Sequence, residues 1–249
     1  MNNHIDVRIY ESRKGMGAAA AERFAREVDR LLQFKEEINI VFAAAPSQNE
    51  FLHYLFEHNL KWHRINAFHM DEYIGLPADA PQGFGNFLKE RLFSKYNFKS
   101  VHYLNGNAAD IQSECLRYTG LLESHPVDIV CMGIGENGHL AFNDPPVADF
   151  EDTATVKMVF LDQACRLQQV NDGCFQHINQ VPVSALTLTI PALMKAQFIS
   201  CVVPGSTKAR AVRNTFEQEV CSEYPSTILT RHDNVVLYLD FESSTSLIS

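Results

Sequence analysis

Apolar positions along the chain alternate between short, near-continuous runs and stretches of helical period. Residues 5–10 read as a strand. Phe24, Val28, Leu31 and Leu32 then fall at i, i+4, i+7 and i+8, one face of an amphipathic helix. The run 38–43 is followed by Ser47-Gln48-Asn49-Glu50, an S-x-x-E capping box that predicts a helix carrying Phe51, Leu52 and Leu55. Residues 65–70 read as the next strand, and Phe84, Phe87, Leu88 and Leu92 mark the helix beyond it. Strands at 101–104 and 127–132 flank a helix marked by Ile111, Cys115, Tyr118 and Leu122. The stretches 156–161, 185–189, 198–203 and 235–239 complete the strands, and Ala209, Val212, Phe216 and Val220 mark a late helix. Strands alternating with helices predict βαβ units and a mostly parallel sheet covered on both faces. No repeat, low-complexity tract or linker interrupts the pattern, so residues 1–249 read as a single domain. The stretch 145–183 is the least periodic and is expected to cover part of the site.

In an open α/β sheet, ligands bind beyond the carboxyl ends of the strands. Four polar or glycine-rich segments each follow a predicted strand directly: 43–47, 71–75, 133–144 and 204–208. Parallel strands bring all four to one edge, and that convergence is stronger evidence than any one segment. Asp71-Glu72 ends one strand; adjacent carboxylates point apart, so one can act as a base while a cation holds the other. Alone, the pair is no more than an ordinary polar loop. Gly133-Ile134-Gly135-Glu136-Asn137-Gly138-His139 lets the backbone approach a ligand, but it lacks the G-x-G-x-x-G spacing of a dinucleotide site. His139 and Asp144 form a candidate imidazole–carboxylate pair, the carboxylate fixing the tautomer. Gly205-Ser206-Thr207-Lys208 sits between strand and helix, where free N–H groups bind phosphate. A lysine at the positive end of a helix is unfavourable without an anion, which favours a binding role for Lys208.

Composition narrows the choice. Asp and Glu (30) outnumber Lys and Arg (21), a net charge of −9. That argues against a general nucleic-acid partner and leaves room for a local basic pocket. No apolar run approaches the ~20 residues of a membrane span. Met1-Asn2-Asn3-His4-Ile5-Asp6 has no basic region leading into an apolar one, so no signal peptide is expected. The six cysteines form no C-x-x-C pair and read as free thiols in a reducing cytoplasm. Among the ten histidines, the spacing of His53, His58, His63 and His69 does not gather zinc ligands, and no H-E-x-x-H occurs, so no metal is expected.

The segments Met70-Asp71-Glu72-Tyr73-Ile74-Gly75-Leu76-Pro77 and 133–145, with Val181-Pro182, Ala185-Leu186-Thr187 and 205–209 in order, resemble the glucosamine-6-phosphate deaminase/isomerase family, a relative of the 6-phosphogluconolactonases. Tyr73 and Phe142-Asn143-Asp144-Pro145 look like its deaminase side. The resemblance implies a Rossmann-like three-layer α/β/α fold and a reaction without metal or cofactor. An amino-sugar 6-phosphate, of glucosamine or galactosamine, would be opened, isomerised through an enediol-type intermediate, and lose ammonia to give a ketose 6-phosphate. Asp71 matches the family's base. His139 matches the ring-opening histidine, with Asn137 and Asp144 at its supporting positions, and Lys208 matches a phosphate ligand. Ala45, Ser47, Glu72, Gly135 and Gly138 fall in the substrate-binding segments.

Three departures stand out. Asp144 replaces a frequent Glu. Ala44-Ala45-Pro46-Ser47 replaces a Gly-Gly-Thr type phosphate turn. No arginine stands in Asn171-Asp172-Gly173, where the family's phosphate arginine is expected, and Arg166 is the nearest substitute. The competing functions are a lactonase-type hydrolase and a non-catalytic sugar-phosphate sensor; retention of both Asp71 and His139 argues against the sensor. A small-molecule sugar phosphate is the expected partner, with no nucleic acid and no membrane. A homo-oligomer is left open by the sequence.

Overall fold

A computed structural model describes residues 5–247; Met1–His4, where part of the signal-peptide reading falls, lies outside the described residues. The elements run β1 (Ile5–Tyr10), α1 (Arg13–Leu31), β2 (Ile38–Phe42), α2 (Asn49–Tyr54), β3 (Ile65–His69), β4 (Asp71–Tyr73) and α3 (Phe84–Leu88). They continue with β5 (Ser100–His102), α4 (Ile111–Ser124), β6 (Ile129–Met132), β7 (Val156–Phe160), α5 (Gln163–Asn171) and β8 (Ser184–Leu188). The last are α6 (Ile190–Met194), β9 (Phe198–Val203), α7 (Ala209–Glu217), β10 (Val235–Asp240) and α8 (Phe241–Ser244).

Seven strands form one sheet in the order β1-β10-β9-β6-β2-β3-β5, every neighbouring pair parallel. The inner strands β2, β6 and β9 are buried at every position, as expected where helices cover both faces. Side chains alternate between the two faces. Ile38, Ile40 and Phe42 pack with Phe24 and Val28 of α1, whereas Val41 and Phe68 pack with Tyr118 and Leu122 of α4. Chain order reverses between β2 and β6: the chain moves outward through β3 and β5 on one side, and through β9 and β10 on the other. That reversal opens a crevice at the carboxyl ends of the central strands. No described helix is long and apolar enough to cross a membrane.

Three expectations are corrected. Residues 71–73, 156–160 and 184–188 do not extend the parallel sheet; β4, β8 and β7 form a separate antiparallel sheet of three strands. The Met70 carbonyl accepts from Leu188 N–H, so the chain leaves one sheet and enters the other within a single residue. The capping box at Ser47 does not form: Pro46 starts a 3₁₀ turn over Pro46–Gln48, and Glu50 is taken by Arg13 instead. The late helix, α7, stops at Glu217, which leaves Val220 outside it.

Candidate active site

The four segments singled out in the sequence follow β2, β3, β6 and β9. These strands lie side by side in the order β9-β6-β2-β3. Their loops wall one cleft of about 240 Å³. Other cavities have similar volumes of about 250 and 230 Å³, so size does not single it out. The lining does: Asp71, His139 and Lys208 all border this one cavity. Gln48 ties its floor together, its side-chain amide donating to the Met132 and Val202 carbonyls at the ends of β6 and β9.

Asp71 opens β4 at the crossing between the two sheets, and its burial leaves 7% of it exposed. Its backbone is held from behind. Leu104 N–H donates to His69 Nε2, so His69 Nδ1 carries the proton and donates to the Asp71 carbonyl at 2.9 Å. Burial pushes His69 down to about 4, which keeps this imidazole neutral and its tautomer fixed. Burial, and then the neighbouring Glu72 charge, push the Asp71 carboxyl well above the usual carboxylate range. Among the described residues no hydrogen bond reaches that carboxylate, which lines the cavity as a candidate base.

His139 stands opposite in the loop after β6. Its Nδ1 lies 2.9 Å from both Asp144 Oδ1 and Asn137 Oδ1, and Asn137 Nδ2 donates to Asp144 Oδ1 at 2.8 Å. Both acceptors require Nδ1 to be the protonated nitrogen, which leaves Nε2 as the free base. The ring packs flat against Gly135: a Cβ there would come within 2.4 Å of three ring atoms, so the position demands glycine. Gly138, at φ +90°, makes the turn that brings His139 round. Burial would raise the Asp144 carboxyl, but the His139 imidazole and the bonds from His139 and Asn137 hold it below the usual range.

At the other end, Lys208 is 5% exposed and its Nζ has no hydrogen-bond partner; Glu136 Oε1 is 3.9 Å away and is itself unbonded. Burial lowers the lysine, opposed by the charges of Asp172 and Glu136. Ala45, Ser47 and Gly135 also line the cavity. A buried ammonium with no acceptor is costly unless a ligand supplies one.

Five expected residues do not join the lining. Glu72 points away, its carboxylate accepting from Tyr73, Phe84 and Gly85 N–H. It organises the start of α3 and borders a different cavity. Arg166 does not line the cavity where the phosphate arginine was expected: its Nη2 donates to the Ile178 and Val181 carbonyls. Gly138 acts through backbone shape alone. Asn137 and Asp144 lie behind His139 rather than on the wall. Conversely, the cleft recruits Arg13, Gln168, Gln169, Asp172 and Glu242. Gln168, Gln169 and Asp172 come from α5 and its end, inside the weakly periodic stretch expected to cover the site. The adjacent amides on a buried helix face were the available signal. Among the described residues, His139, Asp144 and Cys165 group their N, O and S atoms within 4.8 Å, a donor set of the kind metals use. In it, His139 and Asp144 are already bonded to each other.

The sequence pattern described as Glucosamine-6-phosphate isomerases/6-phosphogluconolactonase matches residues 11–238. The chain belongs to that family. It is 33% identical over 216 residues to a glucosamine-6-phosphate deaminase of Bacillus cereus, covering 87% of this chain and 80% of that one. It is 34% identical over 212 residues to one of Listeria innocua, covering 85% and 88%. The solved structure of a monomeric glucosamine-6-phosphate deaminase superposes with a TM-score of 0.87 at 27% identity, covering 97% of this chain and all of that one. A 6-phosphogluconolactonase of Thermotoga maritima shares the fold, with a TM-score of 0.75 at 20% identity, covering 95% and 99%. The family's three-layer α/β fold is thus the one described above.

Proposed function

We propose that the protein is an amino-sugar 6-phosphate deaminase/isomerase, acting on glucosamine 6-phosphate or galactosamine 6-phosphate. One observation carries the reading: an unpaired buried carboxylate, Asp71, and an oriented imidazole, His139, face one cavity that also contains an unpartnered buried ammonium, Lys208. A base, a proton shuttle and an anion partner are what the reaction needs. The deaminase names of the relatives support the same substrate class.

His139 Nε2 takes the anomeric hydroxyl proton and returns it to the ring oxygen as the C1–O5 bond breaks, which gives the open-chain aldehyde. An ionised Asp144 stabilises the transient imidazolium. Asp71 removes the proton from C2 while O1 takes a proton from solvent, giving an enolamine; the same carboxyl then returns a proton to C1 as the amine gives one up, leaving a C2 imine. Water then adds to the resulting C2 imine and ammonia leaves, so the ketose phosphate forms without net oxidation. Lys208, with the first-turn N–H groups at residues 206–207, takes the phosphate, and Arg13 supplies a second cation at the rim. No step is assigned to a metal or cofactor.

We read residues 1–249 as one domain working in the cytoplasm on a small molecule, without nucleic acid or membrane; a homo-oligomer remains compatible with it. The test is a panel of glucosamine, galactosamine and N-acetylated sugar 6-phosphates, scored for ammonia and for ketose. Both products from an amino-sugar phosphate are expected. Hydrolysis of 6-phosphogluconolactone without ammonia release from any member would replace this reading with the lactonase one, and binding without turnover would replace it with a sensor.

A further inference from the structure

The Asp144 carboxylate is bonded on one side only. Oδ1 accepts from Asn137 and His139. Oδ2 is buried and has no hydrogen-bond partner among the described residues. Facing the pair from α5 is Cys165, wholly buried, with its sulfur within 4.8 Å of the nearby Asp144 and His139 atoms. The placement of Cys165 is itself fixed: it is the third residue of α5, and its backbone N–H donates to the N-cap Asp162 carboxylate at 2.6 Å. One turn further on, Gln168 Oε1 accepts from Glu136 N–H. The inner face of α5 therefore holds the His139 loop through the Glu136 backbone and sets Cys165 beside the acid.

We propose that Cys165 is a positioning residue for the acid–base couple, its thiol S–H donating to Asp144 Oδ2 so that Oδ1 stays aimed at His139 Nδ1. A thiol is a weak donor, but Cys165 lies beside a buried carboxylate that has one oxygen unpartnered. It must remain protonated to act this way. Burial, and then the Asp144 charge, push this thiol far above its usual range, so it is neither a nucleophile nor a competing anion. Without it, nothing on that side keeps the carboxylate from turning about its own axis, which would move Oδ1 off the imidazole. The catalytic readouts below rest on the deaminase reading; the positional claim does not.

The experiment compares Cys165→Ser, which keeps a donor, with Cys165→Val and Cys165→Ala, which remove it with and without filling the space. In the apolar variants kcat for the amino-sugar phosphate is expected to fall about 10-fold, a fraction of the ~10²-fold that a positioned acid–base group supplies. KM should hold, and the acidic limb of the kcat/KM profile should move to higher pH, because Asp144 becomes easier to protonate. Cys165→Ser should restore most of the lost turnover and return the limb toward its wild-type position. A purely steric role predicts the opposite ranking, with Val closest to wild type; that ranking, or an unmoved pH limb in both apolar variants, overturns the proposal. The His139 ring is followed in parallel by NMR titration on folded protein. Its midpoint should shift in Cys165→Ala or Cys165→Val, whichever folds, and return in Cys165→Ser. An unchanged midpoint overturns the proposal even if wild type releases no ammonia, the result that would instead sink the deaminase reading.

Discussion

At the proton-transfer end of the cleft, Asn137, His139 and Asp144 lie within one loop and bond one another at 2.8–3.1 Å. At the anion end, Lys208, Arg13, Ser47 and Asp172 come from four separate parts of the chain, and Lys208 Nζ has no hydrogen-bond partner among the described residues, with Glu136 Oε1 3.9 Å away. The first end is complete without substrate: its polar groups orient each other, so little reorganisation is needed when a proton moves. The second end is unfinished, and a ligand must supply what the lysine lacks. The loss of a function therefore has different signatures at the two ends. Damage to the first should appear in turnover, and damage to the second in discrimination between phosphorylated and unphosphorylated sugars.

The largest expected effect is at Asp71. Asp71→Asn keeps the shape and removes the base, so kcat should fall ~10²-fold or more with KM little changed. Steady-state ammonia release measures both. Near-normal turnover would remove Asp71 from the role, and Glu72 could not take its place, since three backbone N–H groups hold it away from the cavity.

The difference between the ends also explains what was legible in the sequence. Residues 133–144 are contiguous, and the spacing from Asn137 to Asp144 shows directly which side chains one loop can bring together. Asp71 was legible because it ends an apolar run. The second sheet was not, because β4 has only three residues and follows β3 without a turn signal. Arg13 and the Gln168–Gln169 pair reach the cleft through packing of α1 and α5, and no local pattern encodes which helix end meets which loop. Arg166 was misassigned for the same reason: proximity in sequence to the expected arginine says nothing about two carbonyls, those of Ile178 and Val181, that claim its guanidinium.

Next in size is the His139 couple. His139→Gln should impair turnover of the cyclic sugar more than isotope exchange at C2 of an open-chain analogue, since Asp71 remains. Asp144→Asn should resemble it, because the amide cannot stabilise the imidazolium. Equal loss of both activities in His139→Gln would place the histidine in the whole reaction rather than in ring opening.

Smaller effects are expected at the anion end. Lys208→Ala should raise KM for the phosphorylated sugar by about 10-fold or more, the range of a lost charge-assisted bond. Arg13→Gln should raise it by less than ~10-fold, because Glu50 already holds this partly exposed guanidinium. Neither should change the KM of an unphosphorylated amino sugar. A wild-type enzyme indifferent to the phosphate would show that this end serves another group.

The smallest effect is on stability, and it sets the two carboxylates against each other by sign. Asp71 has a raised folded value, so its contribution is fully present below the unfolded value of about 3.9 and is lost as pH climbs through the folded one. Asp144 has a lowered folded value, so its contribution is present above the unfolded value and is lost as pH falls through the folded one. Asparagine cannot titrate at either place. Relative to wild type, Asp71→Asn should therefore gain stability between pH 4 and neutrality, because a buried charge without a partner has been removed. Asp144→Asn should instead be less stable than wild type by a constant margin above about pH 4, a margin that shrinks as pH falls below that value, because a paired charge has been removed. Urea midpoints at several pH values for the three proteins measure this. Parallel curves for the two variants would mean that burial dominates at both carboxylates and that the His139 pairing contributes nothing to the fold. Diverging curves would show that the free base strains the native state while the paired acid supports it, a cost of keeping Asp71 unbonded for its reaction.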